Sequence, residues 1–288
     1  MRALVARWPD LVAAPVRYFA EGWDSTVWEV GEWLFRFPKR AEVDGDFLKE
    51  TALLRELDLG PVRIPVFERL GEPSAHFPFH FGGYRMIQGR GADRVEIADV
   101  DQARFAAQLG RALSRLHAFP VERAHALGVP LENLSRDMGH MRERALANLP
   151  KVETDLGDQL AGAVREAFAA LPEPYAGPPI LLHNDLHHEH ILLDEKHALA
   201  GIIDWSDAGL GDPMTDLAGA FAWGGRALCE RVLAHYDFAV DDGAYERIRF
   251  RSLAIGVFCA VHAKAHAKER ELAWSAGLLE RSLPTASR

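Results

Sequence analysis

The 288-residue chain changes its hydrophobic period at one place, the stretch Gln88–Gly91. Upstream, Thr26–Val30 and Trp33–Phe37 are apolar-rich runs split at Gly31-Glu32, which is a hairpin signal. Residues 44–59 carry apolar positions at helical spacing and stop at Gly60-Pro61. Residues 62–73 and 79–89 read as two more strands, so the order is β-β-α-β-β. Downstream the chain is mostly helical. Residues 99–120 form an amphipathic helix with Phe105, Leu109, Leu113 and Leu116 on one stripe. Further helices are expected at 135–150, 156–174, 214–224, 225–236 and 241–274. Short apolar runs fill 178–205. Two periods on either side of one joint predict two unlike lobes in an α+β fold. Residues 1–87 would form a small antiparallel-sheet lobe, 88–91 a hinge, and 92–288 a larger helical lobe.

Apolar residues make up 48% and charged residues 26%, an ordinary globular balance. The net charge of -9 argues against nucleic acid as a partner, because such binding needs a basic surface. It suits a cationic substrate and also plain solubility. The two cysteines, Cys229 and Cys259, lie in apolar contexts and read as buried reduced thiols. The first 22 residues lack a long apolar run and a cleavage pattern, and no run reaches membrane-spanning length. The expectation is a cytoplasmic protein without a membrane partner.

The chemistry concentrates in "HNDLHHEHILLD", His183–Asp194. Four histidines in twelve residues suggest a zinc site, and a zinc hydrolase is one reading. A second reading uses the acids. Asp185 follows the apolar run Ile180–Leu182, and Asp204 follows Leu199–Ile203. Carboxylates at the mouths of neighbouring short strands can converge on a hard cation such as magnesium. Phosphoryl transfer needs those parts: one acid to take a hydroxyl proton, others to hold metal on a nucleotide's phosphates. The spacing parallels the kinase catalytic loop, with His183-Asn184-Asp185, four residues, and then His190 where kinases carry asparagine.

The string "HNDLHHEHILLD…GIIDWSDAGLGDPMTDLA" resembles the signature of the aminoglycoside phosphotransferases and their macrolide-phosphotransferase relatives. "LGRALSRLHAFP" is similar to the helix that opens their second lobe, and "GWDSTVWEVGEWLFRFPKR" to their nucleotide-binding hairpin. The resemblance implies a bilobal protein-kinase-like fold and transfer of a phosphoryl group from ATP or GTP, with Mg2+, to a hydroxyl of a small molecule. The acceptor would be an aminoglycoside first and a macrolide second, with a natural sugar or amino alcohol as the alternative. It further implies that Asp185 is the catalytic base, that His183 braces the loop, and that His190 and Asp204 hold metal. Asp212 would accept hydrogen bonds from the catalytic-loop backbone. In the first lobe, Arg36 stands where kinases have the phosphate-pairing lysine, with Lys39 as a possible substitute and Glu50 as the cation's partner. Ser25 and Thr26 are phosphate contacts or plain turn residues. Tyr84, Met86 and Ile87 would hold the purine, and the Tyr84 ring leans towards GTP by crowding adenine. The partners implied are a nucleotide and a small acceptor, and the chain would be a monomer or weak dimer.

Other features have plainer readings. His187 and His188 are loop residues, since adjacent histidines rarely point at one metal. His262 and His266 lack the glutamate of a zinc motif and read as a solvated helix face. Trp223 is either core or pocket wall. A nucleotide-binding module without turnover is a third function class, motivated by Arg36 and His190.

Overall fold

The computed structural model describes residues 4, 7–22, 24–96, 98, 100–131 and 137–284. Of the positions discussed above, Trp23, Asp99, Ser135 and Arg136 lie outside it. The first lobe is a five-stranded antiparallel sheet. Its strands are β1 (Val16–Glu21), β2 (Ser25–Val30), β3 (Trp33–Pro38), β4 (Arg69–Gly71) and β5 (Phe81–Arg85), in the order β1-β2-β3-β5-β4. The expected hairpin is β2–β3, with Val30 opposite Trp33. Gly31, at φ 62°, supplies the left-handed turn that joins them. Helix α1 (Asp44–Leu54) packs Phe47, Leu53 and Leu54 under the sheet and also buries Glu50.

Two sequence expectations change here. Strand β1 was not foreseen. It is an edge strand with mostly exposed residues, so burial leaves no alternation in its sequence. The two later strands are shorter than 62–73 and 79–89. The segment before β4 leaves the sheet, because the Arg63 N–H donates to the Ala200 carbonyl at 3.0 Å and the Ile202 N–H to the Arg63 carbonyl at 2.9 Å. Backbone groups near Pro65 are thus spent on the second lobe.

In the second lobe, β6 (Arg90–Gly91), β8 (Ile191–Leu193) and β9 (Leu199–Ile202) form one small sheet. Strands β7 (Ile180–Leu182) and β10 (Gly209–Gly211) form another. The helices are α2 (Gln102–His117), α3 (Val121–Ala126), α4 (Met138–Asn148), α5 (Glu153–Leu156), α6 (Asp158–Ala167), α7 (Leu217–Leu233), α8 (Ala244–Ala265) and α9 (Glu269–Ser282). Asp101 caps α2 by accepting the Arg104 N–H at 3.1 Å, and the stripe Phe105, Leu109, Leu113, Leu116 is buried as expected. The two helices expected at 214–224 and 225–236 join as α7 across a break at Gly225, φ 69°. The 241–274 stretch divides into α8 and α9 at Ala267, φ 54°. No described helix is long and apolar enough to cross a membrane. The α+β, two-lobed architecture read from the sequence is the one observed.

Candidate active site

Strand β7 delivers the chain to a loop that is fixed from below. The backbone N–H groups of His183 and Asn184 donate to the buried Asp216 carboxylate at 2.9 and 2.7 Å. Asn184 has a φ of 69°, a strained setting for a residue with a side chain. Those two bonds hold it there, together with its side-chain amide, which donates to the Asp207 carbonyl at 3.0 Å. The result is that Asp185 projects from a rigid base with its side chain 32% exposed.

His183 is wholly buried and braces this loop through both ring nitrogens. Its Nδ1 accepts the Asp185 N–H at 3.3 Å, and its Nε2 donates to the Ile203 carbonyl at 3.0 Å. One nitrogen accepting and one donating defines the neutral imidazole. Burial pushes its pKa down to about 4, which keeps it neutral near pH 7.

The loop-holding carboxylate differs from the sequence expectation. Asp212 does not take that place. It accepts the Met214 N–H at 3.0 Å and pairs with Arg247 Nε at 2.8 Å, tying the turn before α7 to α8. Asp216, four residues on in the same "GDPMTD" string, faces β7. The turn at 213–215 decides which acid points at the loop, and spacing alone could not. Asp216 also meets His117 Nε2 at 3.2 Å, while His117 Nδ1 lies 2.6 Å from the Tyr236 hydroxyl. Burial disfavours the Asp216 charge, yet His117, His183 and the Asn184 amide hold its pKa below the ordinary value.

His190 bridges the two predicted acids. Its Nδ1 donates to the Asp185 carbonyl at 2.8 Å, and its Nε2 lies 3.5 Å from Asp204 Oδ2. The carbonyl can only accept, so Nδ1 carries a proton and Nε2 is the nitrogen turned to Asp204. Orientation of one nitrogen by an acceptor is the usual support of a ligating imidazole. Partial burial works against ionisation of Asp204, but Arg36, His190 and the Ser206 hydroxyl hold its pKa below the ordinary value. A carboxylate beside an imidazole nitrogen fits a divalent cation, with the carboxylate the natural ligand for magnesium.

His187 is closer to this group than the sequence suggested. Its Nε2 lies 3.6 Å from Asp185 Oδ2 and its ring centroid 4.0 Å from that of His190. Asp185, His187 and His190 therefore form a cluster that could hold a metal ion among the described residues. His188 turns the other way, onto Trp274 at 4.9 Å. The adjacent histidines diverge as expected, but two of the four, not one, lie at the acids.

In the first lobe, Arg36 Nη1 donates to both Glu50 oxygens at 2.7 and 2.9 Å. Its Nη2 is 3.9 Å from Asp204 Oδ1. Burial pushes Glu50 above its ordinary range while Arg36 and the Trp205 amide oppose the shift. Lys39 sits elsewhere, on the Gly22 carbonyl at 2.8 Å and Glu21 Oε1 at 2.5 Å, and so fastens the loop ahead of β2. Ser25 is buried with its carbonyl accepting the Gly22 N–H, and Thr26 lies in the β1–β2–β3 ladder. Tyr84 is buried against Phe67 at 5.3 Å, and burial pushes its hydroxyl up to about 12. The Met86 N–H donates to the Glu32 carbonyl, and Ile87 is buried.

A cavity of about 880 Å³ opens on the other side of Asp185. Helices α4, α7, α8 and α9 and the 184–189 loop wall it, and Trp223 and Trp274 give it aromatic faces. Trp223 is thus both core and pocket wall, edge-on to Phe105 at 5.2 Å. Cys229 is buried as expected, whereas Cys259 is only partly buried and lines the cavity. His262 lines it too, a position the sequence marked only as helix surface. Asp185 is the point where the cavity meets the His190–Asp204 pair.

A loop acid beside a helical cavity, and an Arg–Glu pair in a small antiparallel lobe, give the chain a kinase-like architecture. The chain belongs to the Phosphotransferase enzyme family, which it matches over residues 15–251. It is similar to the viomycin phosphotransferase of Streptomyces vinaceus, 34% identical over 123 residues, a match spanning 42% of each chain. Among solved structures it resembles wild-type aminoglycoside 2'-phosphotransferase-IIIa with GDP, at 27% identity and a TM-score of 0.75 over 98% of this chain and 96% of that one. It also shares the fold of a macrolide 2'-phosphotransferase of Brachybacterium faecium, at 23% identity and a TM-score of 0.66 over 99% and 98% of the two chains. The zinc-hydrolase reading gives way to this membership.

Proposed function

We propose that the enzyme moves the γ-phosphoryl group of ATP or GTP to a hydroxyl of an antibiotic-like acceptor, an aminoglycoside first and a macrolide second. The observation that carries this is the position of Asp185, on the cavity wall and 3.6 Å from His190 Nδ1, with Asp204 3.5 Å from the other nitrogen of the same ring. Asp185 accepts the proton of the acceptor hydroxyl as its oxygen forms the new P–O bond. The bond from the γ-phosphorus to the nucleoside diphosphate breaks on the opposite side. His183 and Asp216 keep the Asp185 backbone fixed during transfer. Magnesium bound by Asp204 and His190 would neutralise phosphate charge. Arg36, kept straight by Glu50, adds a fixed positive group on the nucleotide side. The Tyr84 ring supports a lean towards GTP, in line with the GDP complexes of the similar aminoglycoside enzyme.

The cavity wall carries both signs, with Asp93, Asp185, Glu96, Glu189 and Glu271 beside Arg251, Lys268, Arg270 and Arg281, so its acids would meet the amines of an aminoglycoside while its balance also admits a largely apolar acceptor. The similarity to viomycin phosphotransferase adds viomycin to the acceptors worth testing. The test is a mass-shift screen of aminoglycosides, macrolides, viomycin and amino alcohols, with ATP and GTP separately. Phosphorylation of an aminoglycoside or a macrolide supports the reading. Phosphorylation of an amino alcohol alone favours a metabolite kinase, and nucleotide binding without any phosphorylated acceptor favours a binding module.

A further inference from the structure

Helix α1 grips the loop that carries Asp204 with two consecutive side chains. Glu50 accepts the Trp205 N–H at 3.2 Å. Lys49 Nζ donates to the Ser206 carbonyl at 2.7 Å, although the two residues are 157 positions apart. The Lys49 side chain is only 10% exposed, and its other contact, Asp46 at 3.3 Å, is a surface acid. The Ser206 hydroxyl in turn donates to Asp204 Oδ1 at 3.0 Å, which leaves Oδ2 on the His190 side. Asp204 has a φ of 63°, so its conformation needs support from outside its own backbone. An ammonium taken out of water and spent on a main-chain carbonyl is costly unless the bond fixes something. Here it fixes the carbonyl next to the metal-binding acid, across the junction of the lobes.

We infer that Lys49 is a positioning residue for the metal: through Ser206 it sets the rotamer of Asp204 and thereby the affinity of the metal–nucleotide complex. The inference rests on the phosphotransferase reading. It is tested by calorimetric titration of ADP and GDP, each with Mg2+ and with a chelator, into wild-type, Lys49→Met and Lys49→Arg protein. Lys49→Met should lose about tenfold of the Mg2+-dependent gain in affinity, as loss of an outer partner of a metal ligand does. Its metal-free affinity should stay within about twofold, and Lys49→Arg, which keeps a cationic donor, should recover most of the gain. An intact gain in Lys49→Met overturns the inference, as does an equal fall with and without metal, or an arginine variant no better than methionine. If Lys49→Met does not fold, Lys49→Leu, which also lacks a donor, is read in the same way. Wild-type protein that binds neither diphosphate would overturn the nucleotide reading, and this inference with it.

Discussion

The Asp216 carboxylate accepts the main-chain N–H of Asn184 at 2.7 Å, and with its bond to the His183 N–H it holds a left-handed residue directly before Asp185. This buried carboxylate uses both oxygens, Oδ1 for the Asn184 amide and Oδ2 for the His183 amide and the His117 ring, and an asparagine has only one accepting oxygen. Asp216→Asn would turn an NH2 group towards N–H donors. We expect a loss of about 2–4 kcal/mol in unfolding free energy. Urea denaturation measures it, and a loss below about 0.5 kcal/mol would show that the loop is held otherwise.

The same residue gives a pH signature. Its folded pKa lies below the unfolded value of about 3.9, so its contribution is complete above that value and disappears as pH falls through the folded one. The stability gap between wild type and Asp216→Asn should therefore be flat near neutrality and narrow on acidification below about pH 4.

His183 acts in a higher window. Its pKa is near 4 in the folded chain and about 6.5 unfolded, so the unfolded state binds the extra proton between these values. Stability is full above about pH 6.5 and should fall by about 3 kcal/mol on the way down to pH 4. His183→Gln, which does not titrate, should lack that slope in denaturation curves taken across the range.

Asp185→Asn should keep nucleotide binding and lose transfer by about 10²–10⁴-fold, the usual worth of a positioned base. Parallel calorimetry and turnover on a confirmed acceptor decide this. Near-normal turnover would remove Asp185 from the proposed role.

Arg36→Met should destabilise the fold by about 3–5 kcal/mol, because it strands the fully buried Glu50 carboxylate. Arg36→Lys should cost less but lose the two-oxygen grip on Glu50, and should raise the KM for nucleotide more than it changes kcat. Equal effects of the two substitutions would mean that only the charge matters.

Tyr84→Met should raise kcat/KM for ATP relative to GTP by opening space beside the base. A competition assay with both nucleotides reads the ratio, and an unchanged ratio would show that the ring does not gate the pocket.

Local pattern carried much of this protein. The change of period along the chain foretold an α+β fold of two unlike lobes, and Gly31 between two apolar runs foretold the β2–β3 hairpin. The spacing of Asp185, His190 and Asp204 after short apolar strands foretold their convergence, because strand ends and their loops are local structure. What tertiary structure decided lies in contacts between distant residues. The choice of Asp216 over Asp212 depends on a turn packed under β7, and the hold of Lys49 on Ser206 crosses between lobes. The return of His187 to Asp185 depends on the tight turn after it, where its Nδ1 accepts the Glu189 N–H. Strand β1 escaped notice because an exposed edge leaves no burial pattern to read. Periodicity reports which face of an element is buried; it holds no information on which distant backbone group will meet a given side chain once the elements pack.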